Sequence, residues 1–275
     1  MPASRTSTAC TTPARLETVT SRDNRWLKQF RAALGGERLD DGWIGVEGPH
    51  LVEEALRADL PVRAVLVSSG GEALLEQLPP LPEDARLLKT SDKLFASVAD
   101  TRTPQGVAAL VRPREWRLDE MTGGAPLLVV LVGVQDPGNV GTIVRSVEAF
   151  GGTGVVATSG AADPFSPKAL RASAGSALRV PIFAAAAPAV LLAQLRMAGL
   201  RTLAADIREG IDPAEANLAE PCALLIGSEG AGLPPEIARS ADARVRIPIA
   251  AGVDSLNAAV AAAVLLYEAS RQRRS

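Results

Sequence analysis

The sequence predicts an α/β protein made of two successive units. Two patterns carry that prediction: short, continuous apolar runs alternate with stretches of helical spacing along the chain, and "REWRLDEMTGGA" (Arg114 to Ala125) interrupts the alternation with charge and paired glycines. A third observation is compositional. Hydrophobic residues make up 47% of the 275, enough to fill the core of one large domain or two modest ones.

The first 20 residues, within "MPASRTSTACTTPARLETVTS", lack the apolar segment of a secretory signal and carry no acid before Glu17. A disordered leader over residues 1–20 is preferred to an organelle transit peptide. From about residue 23 the elements of the first unit follow in order. "NRWLKQFRAAL" has helical spacing, with Trp26, Phe30 and Leu34 as its apolar stripe; "WIGVEG" reads as a strand and "HLVEEALRAD" as a helix. "VRAVLVSS" is a strand, "GEALLEQL" a helix, "ARLLKT" a strand, "SDKLFASVA" a helix capped by Ser91 or Asp92, and "GVAALVRP" a strand. The unit therefore spans residues 21–113, and residues 114–125 read as a linker.

Residues 126–275 repeat the rhythm with longer elements. The strands are "LLVVLVGV", "GVVAT", "VPIF", "RTLAAD", "CALLIGS" and "ARVRIPI", with helices between them and after the last. Continuous apolar strands alternating with helices imply a parallel sheet covered on both faces, whose ligands gather at the carboxyl ends of the strands. "AAVAAAVLLY" (Ala258 to Tyr267) is too short to cross a bilayer and runs into "EASRQRRS", so it reads as a core helix of a soluble protein with no membrane partner.

The formal charge of −2 does not by itself point to nucleic acid. The ends are more basic: Arg5, Arg15, Arg22, Arg25, Lys28, Arg31 and Arg38 stand near the start, and Arg271, Arg273 and Arg274 at the finish. Both clusters are candidates to touch phosphate, and both read equally well as solvated helix faces. Nine aromatics argue against a base-stacking platform. Two cysteines, Cys10 and Cys222, give neither metal spacing nor a disulfide framework, which fits the cytoplasm, with Cys222 a buried thiol. His50 reads as a helix-start or surface residue.

Three glycine-bearing segments follow strands. In "GVQDPGNVGTIVR" (Gly133 to Arg145) Asn139 and Val140 stand where a phosphate loop needs Lys and Ser or Thr, and there is no Gly-x-Gly-x-x-Gly, so both nucleotide fingerprints fail. What remains is a "DPG" turn and a helix from about Asn139 carrying Arg145. On the plain structural reading, Asn139 is an N-cap, Gly141 a packing glycine and Arg145 a surface residue. "LLIGSEGAGLPPEI" (Leu224 to Ile237) sets glycines around Glu229, suiting a loop that lets a ligand come close or simply a tight turn. "VRIPIAAGVDSLNAAVAAAVLLYE" (Val245 to Glu268) ends a strand and opens a helix that Ser255 can cap.

In this order and spacing the three segments resemble the motifs of the SpoU (TrmH-like) family of RNA ribose 2'-O-methyltransferases, in the SPOUT superfamily. Residues 21–113 are similar to the L30e-like substrate-binding domain that precedes such catalytic domains, through "SRDNRWLKQFRAAL", "VEGPHLVEEAL" and "TRTPQGVAAL". The resemblance implies a trefoil-knotted, parallel-sheet SPOUT domain over residues 126–275. It also implies S-adenosyl-L-methionine as cofactor, a homodimer, no metal, and RNA as substrate. Ribosomal RNA of the 23S type is preferred to transfer RNA, because a separate L30e-like domain recurs in the ribosomal branch. By positional match, backbone at Gly227, Ile247 and Leu256 holds the cofactor, while Arg145, Asn139, Glu229, Ser255 and Asn257 form the reactive site. On the first helix Arg25, Lys28 and Arg31 are the candidate RNA contacts.

The reaction requires in-line alignment and loss of the hydroxyl proton. A guanidinium stays protonated, which favours Arg145 as a ligand of the adjacent phosphate and of the developing oxyanion, with Asn139 and Asn257 orienting it and Ser255 touching the nucleotide. The competing readings are a transfer RNA ribose methyltransferase and a catalytically inactive RNA-binding protein of the same fold.

Overall fold

The computed structural model describes residues 15–184 and 187–274. Most of the leader, with Cys10 and Arg5, lies outside the described residues. The chain divides into two compact units between Pro113 and Arg114.

The first unit carries β1 (Arg15–Thr18), α1 (Arg25–Leu34), β2 (Ile44–Glu47), α2 (Pro49–Arg57), β3 (Val62–Ser68), β4 (Arg86–Thr90), α3 (Asp92–Ala96) and β5 (Val107–Val111). The sheet runs in the order β1-β4-β3-β5-β2, with β1, β4 and β3 parallel and β5 antiparallel to both its neighbours. Asn24 caps α1 through its side chain, which accepts from the Trp26 N–H at 2.8 Å. The helix then buries Trp26, Leu27, Phe30 and Leu34 against Leu66, Leu88 and Leu110 of the sheet.

Two expectations change here. Residues 15–18, placed by sequence in the leader, form an edge strand paired with β4. Residues 69–77, read as an α-helix, run as 3-10 turns. Gly71 lies against the backbone of Gly106, where a Cβ would come within 2.8 Å of the carbonyl carbon. The Gly70 N–H is given to the Asp92 carboxylate at 2.9 Å. Both contacts hold the segment's start to neighbouring chain, which a regular helix would lift away.

The second unit carries α4 (Leu118–Met121), β6 (Leu127–Leu131), α5 (Pro137–Ala149), β7 (Gly154–Ala157), α6 (Pro167–Ala172) and β8 (Ile182–Ala184). It continues through α7 (Pro188–Met197), β9 (Arg201–Ala205), β10 (Cys222–Ile226), α8 (Pro235–Ser240), β11 (Ala243–Val245) and α9 (Ala258–Arg274). Six strands pair in parallel in the order β11-β9-β10-β6-β7-β8. Every residue of β6 and β10 is buried, as expected for strands covered on both faces. Leu128, Val130 and Leu225 pack with Leu191 and Leu195 of α7 and with Met121 of α4. The segment 114–125 thus contributes Met121 to this core, with Trp116 and Leu118 packed against it.

Two of the three arginines at the end of the chain, Arg271 and Arg273, are held by protein groups. Arg273 donates to the carbonyls of Leu218, Glu220, Ala125 and Pro126 at 2.6 to 3.0 Å, and Arg271 forks onto Glu268 at 2.7 and 2.8 Å. Arg273 therefore fastens α9 to the segments leading into β6 and β10 and is not a free phosphate ligand. Cys222 is fully buried, and burial pushes its thiol above the ordinary range.

Candidate active site

The first motif starts α5 earlier than the sequence suggests. Asp136 is the N-cap, its carboxylate accepting from the Gly138 N–H at 3.1 Å, and Pro137 takes the first helical position, where its missing N–H costs nothing. Asn139 is therefore inside the first turn, and its side chain is free to reach outward. Its Nδ2 donates to Glu229 Oε1 at 2.8 Å, and its Oδ1 accepts from Asn257 Nδ2 at 3.0 Å.

Each of the other motifs is shaped to meet it. After β10 the chain turns back so tightly at Gly227 that a Cβ there would overlap the Gly232–Leu233 backbone; Ser228 and Gly232 exchange hydrogen bonds at 3.0 and 3.1 Å, and Glu229 stands on that turn. Its carboxylate also accepts from the N–H groups of Gln135 and Asp136, both at 3.4 Å. Partial burial raises the Glu229 carboxyl, but the Asn139 bond and the backbone N–H groups outweigh it and leave the group below its usual value. In the third motif Asn257, not Ser255, caps α9, accepting from Ala259 N–H at 2.9 Å and Val260 N–H at 3.2 Å. Ser255 is exposed, because the helix starts too late for it to reach the free N–H groups.

Asn257, Asn139 and Glu229 thus form one hydrogen-bonded chain across three segments, with Asn139 90 residues from Glu229 and 118 from Asn257. The expected arrangement differs in one respect: the two amides hold Glu229 and each other, not Arg145. Arg145 lies six positions further along α5, about 9 Å along the axis and turned to another face. It is exposed and has no ion pair with any described residue.

Two residues escaped the sequence reading. Lys168 of α6 sets its ammonium 2.5 Å from Asp136, and that contact above all holds the Asp136 carboxyl below the ordinary carboxylate range. The Asp-Pro step after an apolar run was a legible cap signal for Asp136. Nothing in spacing points to Lys168, which arrives because Gly141 lets α6 pack onto α5.

The residues expected to hold the cofactor are placed where backbone could hold a small group. Gly227 ends its strand in a turn made of main chain, and Ile247 and Leu256 are half-buried on the loop that also bears Ser255 and Asn257. The nearby Glu229 carboxylate suits a cationic sulfonium. Among the described residues no cluster could hold a metal, and no helix is long and apolar enough to cross a membrane. In the first unit Arg25 lies over Trp26 at 5.3 Å, Lys28 stands 3.8 Å from Asp23, and Arg31 donates to the Ser97 carbonyl at 3.4 Å.

Residues 126–267 match the model of the SpoU rRNA Methylase family, and residues 29–109 that of the MRM3-like substrate binding domain. The 23S rRNA (guanosine(2553)-2'-O)-methyltransferase RlmP of Bacillus subtilis is 33% identical over 92% of this chain and 98% of its own. Among solved structures, the SpoU methyltransferase AviRb of Streptomyces viridochromogenes in complex with the cofactor AdoMet superposes with a TM-score of 0.81 at 30% identity, covering 92% of this chain and 99% of that one. The AdoMet-bound rRNA methyltransferase of Sinorhizobium meliloti gives 0.80 at 30% identity, over 93% of this chain and 98% of the other.

Proposed function

The chain belongs to the SpoU rRNA Methylase family, and from that premise we propose that it moves a methyl group from S-adenosylmethionine to a ribose 2'-hydroxyl of 23S-type ribosomal RNA. The observation that carries this reading onto the chain's own residues is the Asn257–Asn139–Glu229 chain, which joins the three motifs into one site. Bound there, S-adenosylmethionine supplies an electrophilic methyl on sulfur. The protein's part is placement: the Gly227 turn, Ile247 and Leu256 shape the cofactor loop, and Glu229 fixes the start of α5 through Asn139 and two backbone N–H groups. Arg145, unpaired and exposed, is offered to the RNA, where its fork suits a phosphate oxygen and the 2'-oxygen as charge develops on it. Ser255, equally exposed, contacts the nucleotide.

The unit of residues 21–113 binds the RNA, residues 126–275 bind the cofactor in a knotted fold, and two chains act as a homodimer in the cytoplasm without a metal.

The test is transfer of labelled methyl from S-adenosylmethionine to total RNA, with the product digested by alkali. Label in alkali-resistant dinucleotides of the large ribosomal RNA is expected. Label confined to transfer RNA would overturn the ribosomal assignment, and cofactor binding without transfer to any RNA would mark an inactive RNA-binding protein.

A further inference from the structure

One end of the first unit's sheet gathers arginines around two indoles. Arg86 opens β4, Arg63 stands near the start of β3, Arg112 follows β5, and Trp43 precedes β2; the strand directions bring all four to the same end. Trp26 of α1 lies there too. The Arg25, Arg86 and Arg63 guanidinium carbons are 5.3, 5.7 and 5.8 Å from the Trp26 ring centre. Arg63 is also 5.8 Å from the Trp43 ring, and Arg112 is 5.4 Å from it. The groups therefore alternate as a ladder from Arg25 and Arg86 through Trp26, Arg63 and Trp43 to Arg112.

Only one carboxylate answers these four cations among the described residues: Glu17, 3.9 Å from Arg86. Like charges on neighbouring strands about 4.8 Å apart repel one another, so an uncompensated row gains from a polyanion. Trp26, 5% exposed, cannot serve as a stacking platform, and Trp43 is itself half-buried. They act as pedestals, fixing the planes of the arginines by cation–π contact and leaving N–H groups free for phosphate.

Resting on the RNA methyltransferase reading, we propose that Arg25, Arg63, Arg86 and Arg112 form a ridge that binds the phosphate backbone of the substrate RNA. A ridge of this kind positions without reading sequence. It extends the expected contact surface from α1 alone to the end of the sheet.

The full-length chain carrying Arg63→Gln and Arg112→Gln tests it, with a ribosomal RNA fragment and poly-glutamate as ligands across a series of salt concentrations. The double variant is expected to bind RNA about tenfold more weakly at low salt. Its salt slope should fall by about 0.7 to 0.9 for each arginine removed. KM for RNA should rise while kcat and cofactor affinity hold. Arg63→Lys with Arg112→Lys should keep the slope. If the Gln variant loses cofactor affinity, Arg25→Gln with Arg112→Gln, both on exposed positions, replaces it with the same expected change. RNA affinity and slope unchanged from wild type would overturn the ridge, as would poly-glutamate bound by wild type as tightly as RNA and weakened equally in the variant. Should wild type transfer no methyl to RNA, the functional reading fails; transfer with an unaltered slope sinks the ridge alone.

Discussion

Asn139 makes two side-chain bonds to residues 90 and 118 positions away, so its amide is where three distant segments meet. Asn139→Asp is nearly isosteric, but it would set a second carboxylate 2.8 Å from Glu229 Oε1. Two carboxylates that close cannot both ionise easily, and the pair must take up a shared proton at a pH well above the ordinary carboxylate range. In the native chain the Glu229 carboxyl titrates below its usual value, so the linkage it makes is present at neutral pH and is lost only in acid. The variant reverses the sign: methyl transfer by Asn139→Asp should be weakest at high pH and recover as pH falls toward 6, where wild type shows no such gain. A variant with the wild-type pH profile would show that the Asn139–Glu229 bond does not shape the site. Asn139, Glu229 and Asn257 were legible because motif resemblance marks side chains. Lys168 was not, since its place beside Asp136 depends on how two helices pack.

That packing is set by one glycine. A Cβ on Gly141 of α5 would lie 2.7 Å from the Ala172 Cβ of α6 and 2.9 Å from the nitrogen of Ser173, its C-cap, and closer still to the Ala169 carbonyl oxygen. Gly141→Ala would gain about 1 kcal/mol in helix propensity. Overpacking costs about 1–3 kcal/mol, and here much of the obstacle is backbone that cannot rotate aside. A net loss of about 1 kcal/mol or more is expected, read as a lower denaturant midpoint at unchanged m-value. Turnover should fall as well, because α6 carries Lys168 to the α5 cap. A higher midpoint would refute the close-packing account. Elements were legible where the pattern was long and apolar, as in β6 and β10. They were misread where tertiary contacts overrode it: Ser69–Gln77, held down at Gly70 and Gly71, and β1, whose only cue is a partner strand about 70 residues on. Caps misled for a related reason, since Asn139 and Ser255 are both good capping types, and the side chains that do the capping, Asp136 and Asn257, were settled by where each helix could begin.

On the scale of the whole molecule, α9 buries one side and leaves another bare. Val260, Val264 and Tyr267, at i, i+4 and i+7, are 49%, 39% and 59% exposed, and Phe150 at the end of α5 meets Tyr267 edge-on at 5.8 Å. A helix whose opposite face packs on α5 and β10 has no internal need for that stripe, whereas the proposed homodimer would cover it. The same helix begins at Asn257, so burying the stripe would also steady the cap that joins the third motif to the first. Val264→Glu puts a charge in the middle of the stripe, where a dimer would have to bury it unpaired. In sedimentation at micromolar concentration the native chain should run as a dimer and the variant as a monomer. The variant should bind S-adenosylmethionine more weakly and lose methyl transfer in step with the loss of dimer. A native chain that sediments as a monomer would remove the dimer from the proposal, and a monomeric variant with full activity would show that the site is complete within one chain.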